Sequence, residues 1–204
     1  MMTRVPAISS EKDDLRQLAT RCHELAARHD LTPFVQGKLD CLCGLYSILN
    51  AIRLLRQPIA PISPVAARRL FEAGTASLSQ KGLLDTALFH GMVIRHWKLL
   101  AALLTRQAST DAFNLTVETP TKSGGKLPAD SIERWMVDSL ADGKPVLVHL
   151  GRRHQHYTVV AGIDRNHLSL FDSWGLVRIR RADFVQRQDL TASCIMRLSL
   201  QLRI

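Results

Sequence analysis

Aromatic residues make up only 5% of this 204-residue chain, and its 27 lysines and arginines are scattered, never more than two in succession. A dedicated nucleic-acid surface needs a basic stripe and stacking platforms, so both absences count against one, and the net charge of +9 reads as a solvated basic surface. No stretch approaches membrane-spanning length without a charge or a break. The opening residues, with Arg4, Pro6, Glu11, Lys12, Asp13 and Asp14, lack the apolar core of a secretory signal. The expectation is a soluble protein, cytoplasmic or exported by a route other than Sec. Cysteine is also scarce: Cys22, Cys41, Cys43 and Cys194 are the full set. Cys41 and Cys43 are too close for a long-loop disulfide framework, and a reducing compartment fits best. With no second cysteine pair and no histidines at finger spacing, no metal site is expected, and no organic cofactor either.

What is present is a 46% hydrophobic fraction, enough for a sizeable core in a single domain spanning 1–204. Ser9 and Ser10 ahead of Glu11 to Arg28 predict a capped helix with Leu15, Leu18, Cys22 and Leu25 on one face. Gly44 to Leu55 is apolar at helical spacing, and further helices are predicted over Val65 to Ala73, from Gly91 or Met92 to Leu104, and over Pro128 to Ala141. Lys122 to Lys126 reads as a glycine-containing loop. Strands are predicted at Phe113 to Glu118, Pro145 to Leu150, His156 to Ile163, Leu168 to Asp172, Leu176 to Arg180 and Cys194 to Leu202. Helices first and strands second imply an α+β protein: a mainly helical part over 1–110 and a mainly antiparallel β part over 111–204.

Chemistry concentrates in three places. Cys43 stands at the entrance to the apolar helix, where aligned N–H groups and a nearby imidazolium would stabilise a thiolate. Gly44 after it allows close approach of the backbone and of a substrate. Cys43 is preferred to Cys41 because Gly44 and the helix follow it directly, whereas Cys41 is followed by Leu42. Gln36 upstream is the candidate side-chain amide for a developing oxyanion. His156 is the candidate base and Asp172 the residue that orients it, on successive predicted strands. His154 is a rival base, since it shares strand parity with His156. Arg152 and Arg153 read either as a solvated turn or as a rim that favours acidic substrates.

The run Gln36-Gly37-Lys38-Leu39-Asp40-Cys41-Leu42-Cys43-Gly44-Leu45-Tyr46 resembles the Gln-to-Cys motif of papain-like cysteine peptidases, closest to their bacteriocin-processing, double-glycine branch. His156-Tyr157-Thr158-Val159-Val160-Ala161-Gly162-Ile163-Asp164 looks like that branch's histidine strand, and Phe171-Asp172-Ser173-Trp174-Gly175 is similar to an Asn-Ser-Trp-Gly motif with Asp for Asn. The resemblance implies a papain-like fold, a helical lobe followed by an antiparallel sheet lobe with the active-site cleft between them. It implies Gln36 as oxyanion donor, Cys43 as nucleophile, His156 as base, Asp172 as orienter, and Trp174 as a cover that keeps water from the His–Asp pair. The interval from Gln36 to Cys43 is slightly longer than the family's usual one, and to Cys41 slightly shorter.

The resulting expectation is a hydrolase, a peptidase acting on a peptide or isopeptide bond of a protein or peptide substrate through a Cys-His-Asp triad and an acyl-enzyme. The same apparatus supports transglutaminase or deamidase chemistry, and a non-catalytic binding module on the same scaffold is the alternative from another class. An exported bacterial effector or toxin and a cytoplasmic processing enzyme both fit. Cys22 and Cys194 read as buried small hydrophobes. The sequence gives no oligomeric state.

Overall fold

Pro64 fixes the entry to a long helix: Ser63 Oγ accepts a hydrogen bond from Ala66 N at 3.2 Å, and proline at the first helical position costs no backbone bond. In the computed structural model of the protein, residues 30–121, 127–151, 154–187 and 194–203 are described. The expected helix over Glu11 to Arg28, Cys22, the loop from Lys122 to Lys126, and Arg152 and Arg153 lie outside them. The helices are α1 (Cys43–Arg56), α2 (Pro64–Gln80), α3 (Leu84–His90), α4 (Ile94–Ala108), α5 (Ala129–Ala141) and α6 (Arg181–Arg187). The strands are β1 (Phe113–Glu118), β2 (Val146–Leu150), β3 (His156–Ile163), β4 (His167–Leu170), β5 (Arg178–Arg180) and β6 (Ile195–Leu202). All six strands form one antiparallel sheet in the order β1-β6-β2-β3-β4-β5. The α+β expectation holds. No single helix among the described residues is long and apolar enough to cross a membrane.

The sheet is covered on both faces, as its alternation of side chains requires. Leu147, Tyr157, Val159, Ala161, Met196 and Leu198 pack on one face with the core residues of α1 and α4, among them Leu45, Ile48, Ile52, Trp97 and Leu104. Val146, Val148, Val160, Leu168 and Ile195 pack on the other with Ile132, Met136 and Leu140 of α5 and Phe184 of α6. Every residue of β3 is buried, because this strand is sandwiched between both layers.

Three boundaries differ from expectation for physical reasons. Helix α2 runs on through Gly74 to Gln80 instead of stopping at Ala73. A Cβ at Gly74 would come within 2.6 Å of Leu45 Cδ1, so this glycine serves the approach of α2 to α1 rather than a helix end. Helix α4 begins at Ile94, after Gly91 at φ 80° has ended the short α3, which the sequence reading passed over. The fourth strand ends at Leu170, leaving Asp172 in the loop beyond it; Leu170 N donates to Val177 O at 2.8 Å and closes that loop at its base.

Candidate active site

The site forms where the N-terminus of α1 meets the first residue of β3. Asp40 builds the approach to α1: its Oδ2 accepts from Gly37 N at 3.1 Å and its Oδ1 from Leu42 N at 3.0 Å, while Cys41 N donates to Leu88 O at 2.7 Å. The chain is thereby turned so that Cys43 is the first helical residue, with no side chain capping the helix and no acidic residue in its first turn. The positive end of the helix dipole is left to whatever charge develops at Cys43. Gly44 is required by packing: a Cβ there would lie 3.2 Å from Trp97 Cδ1 and 3.5 Å from Tyr157 Cδ2. The close approach it allows is therefore to these two rings, not to a substrate. Trp97 Nε1 donates to Gly44 O at 3.1 Å and lies 3.2 Å from Ser47 Oγ, and Tyr157 OH donates to Met92 O at 2.6 Å.

His156 is buried, and its Nε2 lies 2.6 Å from Asp172 Oδ1. Its Nδ1 is buried and makes no well-formed hydrogen bond, while the Cys43 thiol is close enough to act on the ring electrostatically. Burial works against the charged imidazolium, but the hydrogen bond to Asp172, the adjacent Cys43 thiol and the charge of the Asp172 carboxylate outweigh it, raising the His156 pKa to about 9. For Asp172, burial pushes the pKa up, and the hydrogen bond to His156, the nearby Thr158 hydroxyl, the charge of His156 and the Trp174 N–H together more than reverse this, with a net lowering. Asp172 is not supported by a strand. Instead its Oδ2 accepts from Trp174 N at 2.8 Å and Leu176 N at 3.1 Å, so the carboxylate organises the loop that carries it. The Trp174 ring stacks on the imidazole at 4.7 Å and 18°, and is itself 59% exposed.

Gln36 is buried, although a loop glutamine ahead of a helix ordinarily faces solvent. Its Nε2 donates to Asp40 O, and its backbone N donates to Ser173 O at 3.0 Å. Its Oε1 is buried without a hydrogen-bond partner. Two residues earlier, Phe34 exchanges a pair of hydrogen bonds with Asn50 of α1, at 2.7 and 3.1 Å, and Arg53 lies over the Phe34 ring. The segment carrying Gln36 is thus fixed on one side to α1 and on the other to the Asp172 loop.

The remaining candidates fall elsewhere. Cys41 is half-buried, and its thiol faces Phe89 O at 3.6 Å. His154 lies in a turn, and Gln155 at φ 43° breaks the extended backbone before His156, so the shared parity of the two histidines does not hold. His149 packs on Tyr157 at 4.5 Å, with its pKa lowered by burial and then by the charge of His156. Cys194 is buried just before β6. The sequence reading missed Asp40, Asn50, Trp97 and Tyr157. A lone asparagine inside the apolar run of α1, and an aspartate three residues before the helix, were the available signals. Among the described residues no group of three or more His, Cys, Asp or Glu is disposed to hold a metal ion.

No family model matches the sequence, and no curated protein does. Among solved structures, the chain is similar to the peptidase domain of Streptococcus ComA, a bi-functional ABC transporter involved in a quorum sensing pathway, with 16% identity and a TM-score of 0.42, over 84% of this chain and 98% of that one.

Proposed function

We propose that the chain is a cysteine-dependent hydrolase, a peptidase whose nucleophile is Cys43. The observation that carries this reading is the position of one imidazole: His156 is held by Asp172 through Nε2 and has its other, unpartnered nitrogen buried beside the thiol of Cys43. An Nε2–H given to Asp172 leaves Nδ1 to take the thiol proton, and the resulting imidazolium is favoured by the Asp172 carboxylate against the cost of its burial. The Cys43 thiolate adds to a carbonyl carbon. Negative charge on the carbonyl oxygen is then met by the second N–H of the Gln36 amide and by the N-terminal end of α1. His156 returns its proton to the leaving amine, and water, deprotonated by the same ring, releases the acyl group.

The test is mass-spectrometric mapping of a limiting dose of iodoacetamide at neutral pH, in the native protein and in His156→Ala. Selective modification of Cys43 that slows in the variant supports the reading. Uniform slow labelling, or a preference for Cys41, overturns it. A library of peptides then separates hydrolysis from transfer to an added amine.

A further inference from the structure

We propose that Cys41 is a resolving thiol for Cys43, closing a reversible Cys41–Cys43 disulfide when Cys43 is oxidised by a peroxide. The inference rests on Cys43 being the reactive nucleophile. Cys41 has no part in the chemistry above, yet it is a free, half-buried thiol two residues from a second free thiol. Leu42 between them has φ −81° and ψ 23°. A residue folded in that way holds the Cα atoms on either side about 5.5 Å apart, inside the range of roughly 4.4–6.8 Å that a disulfide spans. An extended Leu42 would carry them beyond it. The fold of Leu42 is itself built in, since Asp40 Oδ1 accepts its N–H at 3.0 Å.

The thiol of Cys43 already leans back over this turn, with Sγ 3.8 Å from Cys41 O. The Cys41 backbone is tied to Leu88 O at 2.7 Å, whereas its thiol is held only by the weak contact with Phe89 O at 3.6 Å. Rotation about its Cα–Cβ bond is therefore free to carry Cys41 Sγ away from Phe89 O while the backbone bond to Leu88 O stays in place.

The steps balance. The Cys43 thiolate attacks one peroxide oxygen, the O–O bond breaks, and hydroxide (or an alkoxide) leaves, giving a sulfenic acid at Cys43. The Cys41 sulfur then displaces the sulfenic hydroxyl: an S–S bond forms, the S–O bond breaks, and the Cys41 proton leaves with the hydroxyl as water. A ring closed across a single intervening residue is strained, and strained disulfides are readily reduced. Two molecules of a small thiol return both cysteines to the thiol form and leave as their own disulfide. Without Cys41, the sulfenic acid stays open to a second peroxide and to irreversible sulfinic acid.

The experiment treats the full chain with hydrogen peroxide, quenches, digests with trypsin and repeats after dithiothreitol. Cys41 and Cys43 fall on one peptide, residues 39–53, which holds no other cysteine. The expected product is that peptide lacking two hydrogens, with Cys43 alkylation recovered by dithiothreitol. In Cys41→Ser and Cys41→Ala, sulfinic acid is expected at Cys43, with recovery lower by roughly tenfold. Equal sulfinic acid in the native protein and both variants, a cross-link from Cys43 to Cys22 or Cys194, or a rapidly alkylated Cys43 that forms no disulfide, would each overturn the proposal. Alkylation before peroxide separates the two readings: a Cys43 no faster than the other cysteines there rejects the nucleophile itself.

Discussion

The side chains of His156 and Asp172 meet at 2.6 Å with neither exposed to solvent. A buried pair of this kind contributes little as a pair, but removing one member strands the other. Asp172→Ala leaves the His156 ring without its carboxylate and also frees Trp174 N and Leu176 N. A loss of about 3 kcal/mol or more in urea unfolding is expected. Asp172→Asn retains an acceptor for the loop but removes the charge and turns an N–H toward His156 Nε2, so it should unfold closer to the native protein while Cys43 alkylation at neutral pH still falls.

The raised pKa of His156 carries a sign. The ring binds its proton more tightly when folded, at about 9 against an ordinary 6.5. Its contribution to stability is therefore fully present below about pH 6.5 and is lost as pH rises through about 9. Imidazole proton shifts followed by NMR should titrate near pH 9. In Asp172→Asn, where burial is no longer opposed by the carboxylate, the midpoint should drop by more than about one unit. An unchanged midpoint would separate the pKa from the pair.

Trp174 covers the imidazole but is itself 59% exposed, so little folding energy depends on it. Trp174→Ala should shift the unfolding free energy by less than about 1 kcal/mol. It should nevertheless admit water to the His–Asp pair, weaken its electrostatics and slow Cys43 alkylation. A large loss of stability with unchanged alkylation would make the ring structural.

Gly44→Ala gains helix propensity and loses packing. Trp97 is completely buried and hydrogen-bonded to the carbonyl of Gly44, so it cannot retreat from a Cβ at 3.2 Å. Overpacking should win over the propensity gain of about 1 kcal/mol and leave a net destabilisation of roughly 1 kcal/mol, read from thermal or denaturant unfolding.

Asn50→Ala deletes both hydrogen bonds to Phe34 and should cost about 2 kcal/mol. Faster amide hydrogen exchange at Phe34 and Gln36 is the specific readout, with the exchange of β6 as the reference. Equal acceleration in both places would mean a global rather than a local effect.

The elements most legible in the sequence are those with long, uninterrupted patterns. Helix α1 and strand β3 appear within a residue of where apolar periodicity puts them, because both lie at the centre of the core and packing reinforces local preference. Helices α3 and α6 are seven residues each, too short for a periodic signal, and α6 follows directly on the charged strand β5. The grouping of Cys43, His156 and Asp172 could be read from motifs because each is fixed by its own neighbours in sequence. The burial of Gln36 could not, since it depends on Asn50 and Ser173, which lie 14 and 137 positions away along the chain.

The segment from Phe34 to Gln36 is bonded to Asn50 at one end and to Ser173 O at the other. It works as a tie between the helix that bears the thiol and the loop that bears the carboxylate. If the loop around Ser173 swings outward, it pulls on Gln36, and slack at Asn50 is transmitted to the neighbour of Asp172. Disturbance of either loop therefore disorders the amide and the carboxylate together, and the site fails as a unit instead of losing its parts one by one.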